Sequence, residues 1–172
     1  DFAGVLVTGS GAMVTERADW SERSADWLRD AAHAGHALLG ICYGHQLLAH
    51  ALGGQVDYNP RGREMGTVPV TADPAAAHDP LFAGLQAPFA AHTTHLQTVV
   101  TPPAQAQVLA RSERDDCQAF RWGAATWGLQ FHPEFSTGMM RGYIQARSDA
   151  LENEGTCHRR LLGDVRPAPT AR

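Results

Sequence analysis

The sequence predicts an α/β fold, a mostly parallel sheet flanked by helices in three layers, on three observations. Short apolar runs alternate with helix-period stretches over residues 4–54, and strand–helix–strand–helix order implies parallel strands joined by crossovers. The runs are continuously apolar rather than alternating, as strands covered on both faces require. The chain has 172 residues, 44% hydrophobic and 19% charged, enough for one domain with a buried core.

Gly4-Val5-Leu6-Val7-Thr8 is the first such run, and Gly9-Ser10-Gly11 ends it in a tight loop. Trp20 to Ala34 places Trp20, Trp27, Leu28 and Ala31 near helical spacing, and Gly35 supplies the C-terminal cap. Ala37 to Ile41 is the second buried strand, followed by a helix from Gly44 to Leu52 that Gly53-Gly54 closes. Thr67–Thr71, Val108–Arg111, Gln118–Trp122 and Ala124–Phe131 read as short strands between proline-rich and alanine-rich loops. Ser136 to Glu154 reads as one helix, and Arg166-Pro167-Ala168-Pro169 as a tail with little to pack. The four tryptophans, Trp20, Trp27, Trp122 and Trp127, are expected as core or strand-packing aromatics.

Composition excludes several kinds of chemistry. Net charge is −4, so the basic footprint of a nucleic-acid binder is missing. No apolar stretch approaches the roughly 20 residues that cross a bilayer, and the opening residues lack a charged-then-apolar leader. All 14 basic residues are arginine, which removes Schiff-base chemistry, pyridoxal-phosphate chemistry and the phosphate-loop lysine. Cys42, Cys117 and Cys157 are odd in number and widely spaced. They fit neither a disulfide framework nor a zinc site, and a reducing cytoplasm suits them.

Reactive groups concentrate at Gly40-Ile41-Cys42-Tyr43-Gly44-His45-Gln46. A nucleophile between an apolar strand and a helix, with glycine two residues away on each side, is an elbow: the turn strains the backbone and the glycines permit close approach of neighbouring chain. At a helix N-terminus the dipole and free N–H groups favour thiolate, and the Tyr43 N–H is placed to face an oxyanion. A free thiol of pKa about 8.5 is only a few per cent ionised at pH 7, so a base is required. Gly128-Leu129-Gln130-Phe131-His132-Pro133-Glu134 supplies one. In extended backbone residues i and i+2 project to one side, so Glu134 can hold one ring nitrogen of His132 and leave the other for Cys42.

Those two segments, with Leu47-Leu48-Ala49, Gly53-Gly54, Val7-Thr8-Gly9-Ser10-Gly11 and Gly62-Arg63-Glu64-Met65-Gly66, resemble the class I glutamine amidotransferases, and among them the small GMP-synthase-like group. The resemblance implies a flavodoxin-like sheet whose N-terminal βαβ unit this chain lacks. It implies one glutamine amidotransferase domain over residues 1–163 and a flexible tail over 164–172. Cys42 becomes the nucleophile, His132 the base and acid, and Glu134 its orienting partner, with the backbone N–H groups of Ser10 and Tyr43 as oxyanion hole. Gly9 and Gln46 fall at substrate-binding positions, although Gln46 alone reads equally as a polar residue on an exposed first helical turn. No cofactor or metal is implied. The substrate would be L-glutamine or a γ-glutamyl compound, the alternatives being a γ-glutamyl peptidase with the same triad or a cysteine-elbow α/β hydrolase. The partner would be an ammonia-accepting synthase.

His92-Thr93-Thr94-His95 invites a metal reading, but flanking prolines and β-branched residues favour extended backbone and no acidic third ligand is near in sequence. The resemblance makes it a loop bordering the glutamine pocket. Arg63 and Glu64 read either as substrate contacts or as a surface pair.

Overall fold

The computed structural model describes residues 2–169. Strand β1 (Val5–Val7) leads through the Gly9–Gly11 loop to α1 (Asp19–His33), and β2 (Leu38–Ile41) runs into α2 (Tyr43–Ala51). Then come β3 (Gln55–Tyr58), β4 (Glu64–Ala72), β5 (Phe89–His95), β6 (Gln97–Thr101), β7 (Gln107–Arg111), β8 (Ala119–Trp122) and β9 (Thr126–Leu129). Three helices close the described chain: α3 (Thr137–Ala146), α4 (Ser148–Asn153) and α5 (His158–Asp164).

Seven strands form one sheet in the order β1-β2-β9-β8-β7-β4-β5, and β3 pairs with β6 apart from it. The α/β class is as expected, and the sheet is mixed. β1, β2 and β9 are parallel, whereas β9-β8, β8-β7, β7-β4 and β4-β5 are antiparallel. The parallel part is where crossover helices exist to connect it. The β8–β9 pair is a short hairpin and antiparallel, as such a connection requires.

Helices α1 and α2 cover one face, with Leu28, Leu47 and Leu48 packed on Leu38 and Phe120. On the other face, Phe82 of the segment between β4 and β5 seals Leu109, Val70, Phe89, Leu129 and Phe131. A third cluster joins Met65 and Phe135 to Met140, Ile144 and Leu151. Gly35 ends α1 at φ +80°, the left-handed cap its position predicts, and His36 N–H donates to Ala31 O at 3.0 Å.

Several expectations need correction. The single helix over Ser136–Glu154 is broken at Arg147, where φ −113° and ψ 16° separate α3 from α4. At helical spacing Arg147 would share the apolar stripe of Met140, Ile144 and Leu151, and the break releases its charge from that stripe. His92–His95 is a strand, not a loop. Trp20 and Trp27 are 46% and 48% exposed. They flank a groove of about 680 Å³ against Val5, Leu6 and Leu28, at the sheet's open edge where no strand covers β1. The expected tail starts too early: Asp164 closes α5, Val165 is buried, and Arg166 N–H donates to Thr67 Oγ1 at 3.2 Å. Residues 170–172 of that tail lie outside the described residues.

Candidate active site

Cys42 joins β2 to α2 at φ 53°, ψ −103°, a left-handed conformation that costs a non-glycine residue of order 1–3 kcal/mol and clusters at functional sites. Two close approaches hold it there. A Cβ on Gly40 would lie 2.3 Å from Gly44 O, and a Cβ on Gly44 would lie 2.1 Å from Val7 O. Both obstacles are backbone, so only glycine fits. Cys42 N–H donates to Leu129 O at 2.7 Å, fixing the elbow to the end of β9.

Three residues beyond that carbonyl stands His132, whose N–H donates to His92 O at 2.8 Å. Its Nδ1 is 2.7 Å from Glu134 Oε1, and Nε2, buried, has no hydrogen-bond partner among the described residues. With the carboxylate accepting from Nδ1–H, Nε2 is left as a bare acceptor. Cys42, His132 and Glu134 line one cleft of about 260 Å³ together with Thr8–Gly11 and Thr94. Gly9 lies close to both side chains: a Cβ there would sit 3.2 Å from His132 Cε1 and 3.7 Å from Cys42 Cβ.

Electrostatics at the sulfur differ from the simple helix-dipole expectation. Burial pushes the Cys42 thiol up to about 12; the Tyr43 N–H pulls it down, the Glu134 charge raises it, and Arg147 and Gln130 lower it. Burial opposes the thiolate more strongly than the Tyr43 N–H favours it, and Sγ lies 3.9 Å from Thr94 O. At Glu134 burial works upward, but the bond from His132 wins and holds the carboxyl below the usual range.

The structure thus brings Gly9, Ser10, Cys42, His132 and Glu134 to one cleft, with the Tyr43 N–H directed at the sulfur. Gln46 is elsewhere. It is buried rather than exposed and does not line the cleft; its Nε2 donates to Gln97 O at 2.8 Å and Gln130 Oε1 at 2.9 Å. Both donors being spent, it braces Gln130, whose side chain acts on the Cys42 sulfur. Gln130 is a site residue that sequence reading misses, although it shares the His132 side of an extended chain by i, i+2 spacing. Phe135, Tyr143 and Arg147 also line the cleft. No sequence signal marks the last two, which arrive by the docking of α3.

The remaining candidates resolve structurally. Arg63 pairs with Glu154 through two bonds of 2.9 Å. Glu64 is buried, accepting from His95 Nε2 at 3.1 Å and Ser112 Oγ at 2.6 Å. Among the described residues no group of three or more His, Cys, Asp or Glu is arranged to hold a metal.

A cysteine on a strand-to-helix elbow, lining one cleft with a histidine whose other ring nitrogen is held by a glutamate, is the layout of a cysteine-dependent amide hydrolase. Residues 1–148 match the family model for glutamine amidotransferase class-I, and the chain belongs to that family. It is 35% identical to the glutamine-hydrolysing GMP synthase of Aeropyrum pernix over 77% of this chain and 24% of that protein. It is 39% identical to one subunit of the glutamine-hydrolysing GMP synthase of Ignicoccus hospitalis, over 56% of this chain and 50% of that one. The chain therefore spans a quarter to a half of the length of these relatives. A glutamine amidotransferase structure from Thermotoga maritima superposes with a TM-score of 0.74 at 28% identity, covering 92% of this chain and 68% of that one.

Proposed function

We propose that this chain hydrolyses the side-chain amide of glutamine through a Cys42 thioester, yielding glutamate and ammonia. The observation that carries the reading is the shared cleft of the strained Cys42 and the unpartnered Nε2 of His132.

Because burial keeps the thiol protonated, His132 acts as a true base: Nε2 takes the Sγ proton as sulfur attacks the amide carbon. The oxyanion forms against the backbone N–H groups of Tyr43 and Ser10. Glu134, bonded at Nδ1, stabilises the imidazolium this creates, without accepting the proton. Collapse breaks the carbon–nitrogen bond, and His132 returns the proton to departing ammonia. Water, deprotonated by the same nitrogen, then cleaves the thioester and regenerates the thiol. Gly9 keeps space between base and nucleophile for the amide, and Gln46 positions Gln130 behind the sulfur.

The Ignicoccus hospitalis relative, itself one component of a divided synthase, supports a partner synthase chain that consumes the ammonia. A reducing compartment such as the cytoplasm would keep Cys42 as a thiol. Incubating the chain with glutamine while following glutamate and ammonia tests the proposal. Release should fall to background in Cys42→Ala and persist in Cys157→Ala, and a glutamine-like electrophile should label Cys42. Equal release from Cys42→Ala and the parent overturns the assignment.

A further inference from the structure

Gln97 opens β6 and is buried, and both its side chain and its carbonyl reach parts of the site that lie far from it in sequence. Oε1 accepts from the Val14 N–H at 3.1 Å, and Nε2 donates to Thr15 Oγ1 at 2.6 Å. Both partners belong to the single turn of 3₁₀ helix Val14–Glu16, the first regular structure after the Gly9–Gly11 loop. The carbonyl has different partners: it accepts from Gln46 Nε2 and from His95 Nδ1, each at 2.8 Å. Two donors engage both of its lone pairs, so α2 and β5 together fix its position.

The first N–H of a helical turn has no partner inside the turn. Met13, at the capping position, offers no side-chain bond, and Gln97 Oε1 fills that role from 83 positions away. The loop before the turn depends on this clamp. Thr8–Met13 is tied at one end by β1, which pairs with β2 as far as Val7 opposite Gly40. At the other end stands Val14, whose side chain packs into the core. Between them Ala12 N–H donates to Ser10 Oγ at 3.1 Å, a bond internal to the loop that cannot set its place against Cys42. Burial of the Val14 side chain fixes depth; the bond to its N–H fixes which way the preceding peptides face.

We propose that Gln97 is a positioning residue of the reaction: its side chain aims the Ser10 N–H at the forming oxyanion, while its carbonyl, through Gln46, holds the Gln130 amide behind the sulfur. Nucleophile and oxyanion hole are thereby aligned from one point. This rests on the reading of Cys42 as an amide-cleaving nucleophile and of Ser10 as an oxyanion donor.

The two arms separate in experiment, because a side-chain substitution leaves the carbonyl in place. Alkylation by iodoacetamide displaces iodide and builds no oxyanion, so it reads the sulfur arm alone, whereas glutamine hydrolysis needs both. Gln97→Met keeps the length and removes both polar atoms. Its kcat on glutamine should fall about 10- to 100-fold, short of the roughly 10²–10³ for losing an oxyanion donor outright. kcat/KM should fall in step, as loss of an interaction made in the transition state requires, and Cys42 should alkylate at the parent's rate with the parent's pH profile. Thr15→Val, which removes one of the two side-chain contacts, should lower kcat by a smaller factor and decides the matter should Gln97→Met fail to fold. Gln46→Leu cuts the other arm and should move the alkylation profile to higher pH, because the Gln130 amide favours thiolate.

Parental kcat in folded Gln97→Met or in Thr15→Val overturns the proposal. So does alkylation that slows by the same factor as kcat in Gln97→Met, which would make Gln97 a support of the whole cleft, and so does an unmoved profile in Gln46→Leu. A parent that releases no glutamate from glutamine overturns the hydrolase reading along with this one, whereas an active parent with unaffected variants overturns Gln97 alone.

Discussion

Of the four histidine–glutamate pairs among the described residues, two have a buried histidine, His95–Glu64 and His132–Glu134, and only the second leaves a ring nitrogen unbonded. His95 lies between Glu64 and Asp115, with Nε2 3.1 Å from Glu64 and Nδ1 against Gln97 O at 2.8 Å. Both nitrogens are occupied and the side chain is sealed. His132 is bonded once, by a Glu134 whose side chain is 42% exposed, and its second nitrogen faces a cleft with Cys42. The acid–base partners are the same. What separates the two is one unspent nitrogen and a cleft of about 260 Å³ that His132 lines together with Cys42.

The sharpest way to break the comparison is to exchange the losses. His132→Asn should lower kcat by about 10²–10⁴-fold, the usual worth of general acid–base catalysis, with the melting temperature almost unchanged. A comparable loss of kcat in folded His95→Asn would erase the distinction. His95→Asn should instead remove one of three donors to the buried Glu64, which keeps Ser112 Oγ and Gln118 Nε2, costing about 1–3 kcal/mol of stability, read by urea unfolding. Glu134→Gln comes next: turnover should fall about tenfold, the scale of one charge-assisted contact. Its stability cost should stay under about 1 kcal/mol because the group is exposed. The Glu134 charge raises the Cys42 thiol pKa, so the variant's thiol should alkylate no more slowly at low pH than the parent's.

A separate effect is in the pH dependence of stability. Burial works to lower the His95 pKa, but the Glu64 bond and the Asp115 and Glu64 charges prevail and raise it. Its contribution is therefore complete below the unfolded value of about 6.5 and is lost as pH rises through the raised folded value. His45 has the opposite sign: burial lowers it to about 3, so it costs stability as pH falls from about 6.5 towards 3. Melts across pH should show a shallower acid limb in His45→Leu. An acid limb as steep as the parent's would mean that His45 is not held neutral.

What the sequence revealed follows the distance over which each feature is determined. The elbow and His132-Pro133-Glu134 are legible because their geometry is set within two residues of backbone, by glycines and by strand alternation. The parallel strands are legible because each lies beside the helix that returns to it. Arg147 is hidden because its place depends on a helix break that neither Gly nor Pro announces. The resemblance puts Gln46 at a substrate position, and its own sequence context reads equally as an exposed helical turn, yet the carbonyl and the amide that claim its donors come from β6 and from the chain just beyond β9. Trp20 and Trp27 look like core by residue type alone, and only the uncovered edge at β1 leaves them in solvent.

The spread of the site along the chain also governs when it comes into existence. Gln46 reaches Gln130, 84 positions further along, and the Cys42 N–H is anchored to a carbonyl about as far away. No contiguous fragment short of that span holds both halves of the reaction. Contacts of such high separation form only after long loops have closed, so a partly folded chain has an elbow without a base. Turnover should return during refolding with the slowest cooperative phase, which makes catalysis a reporter of global folding rather than of local helix formation.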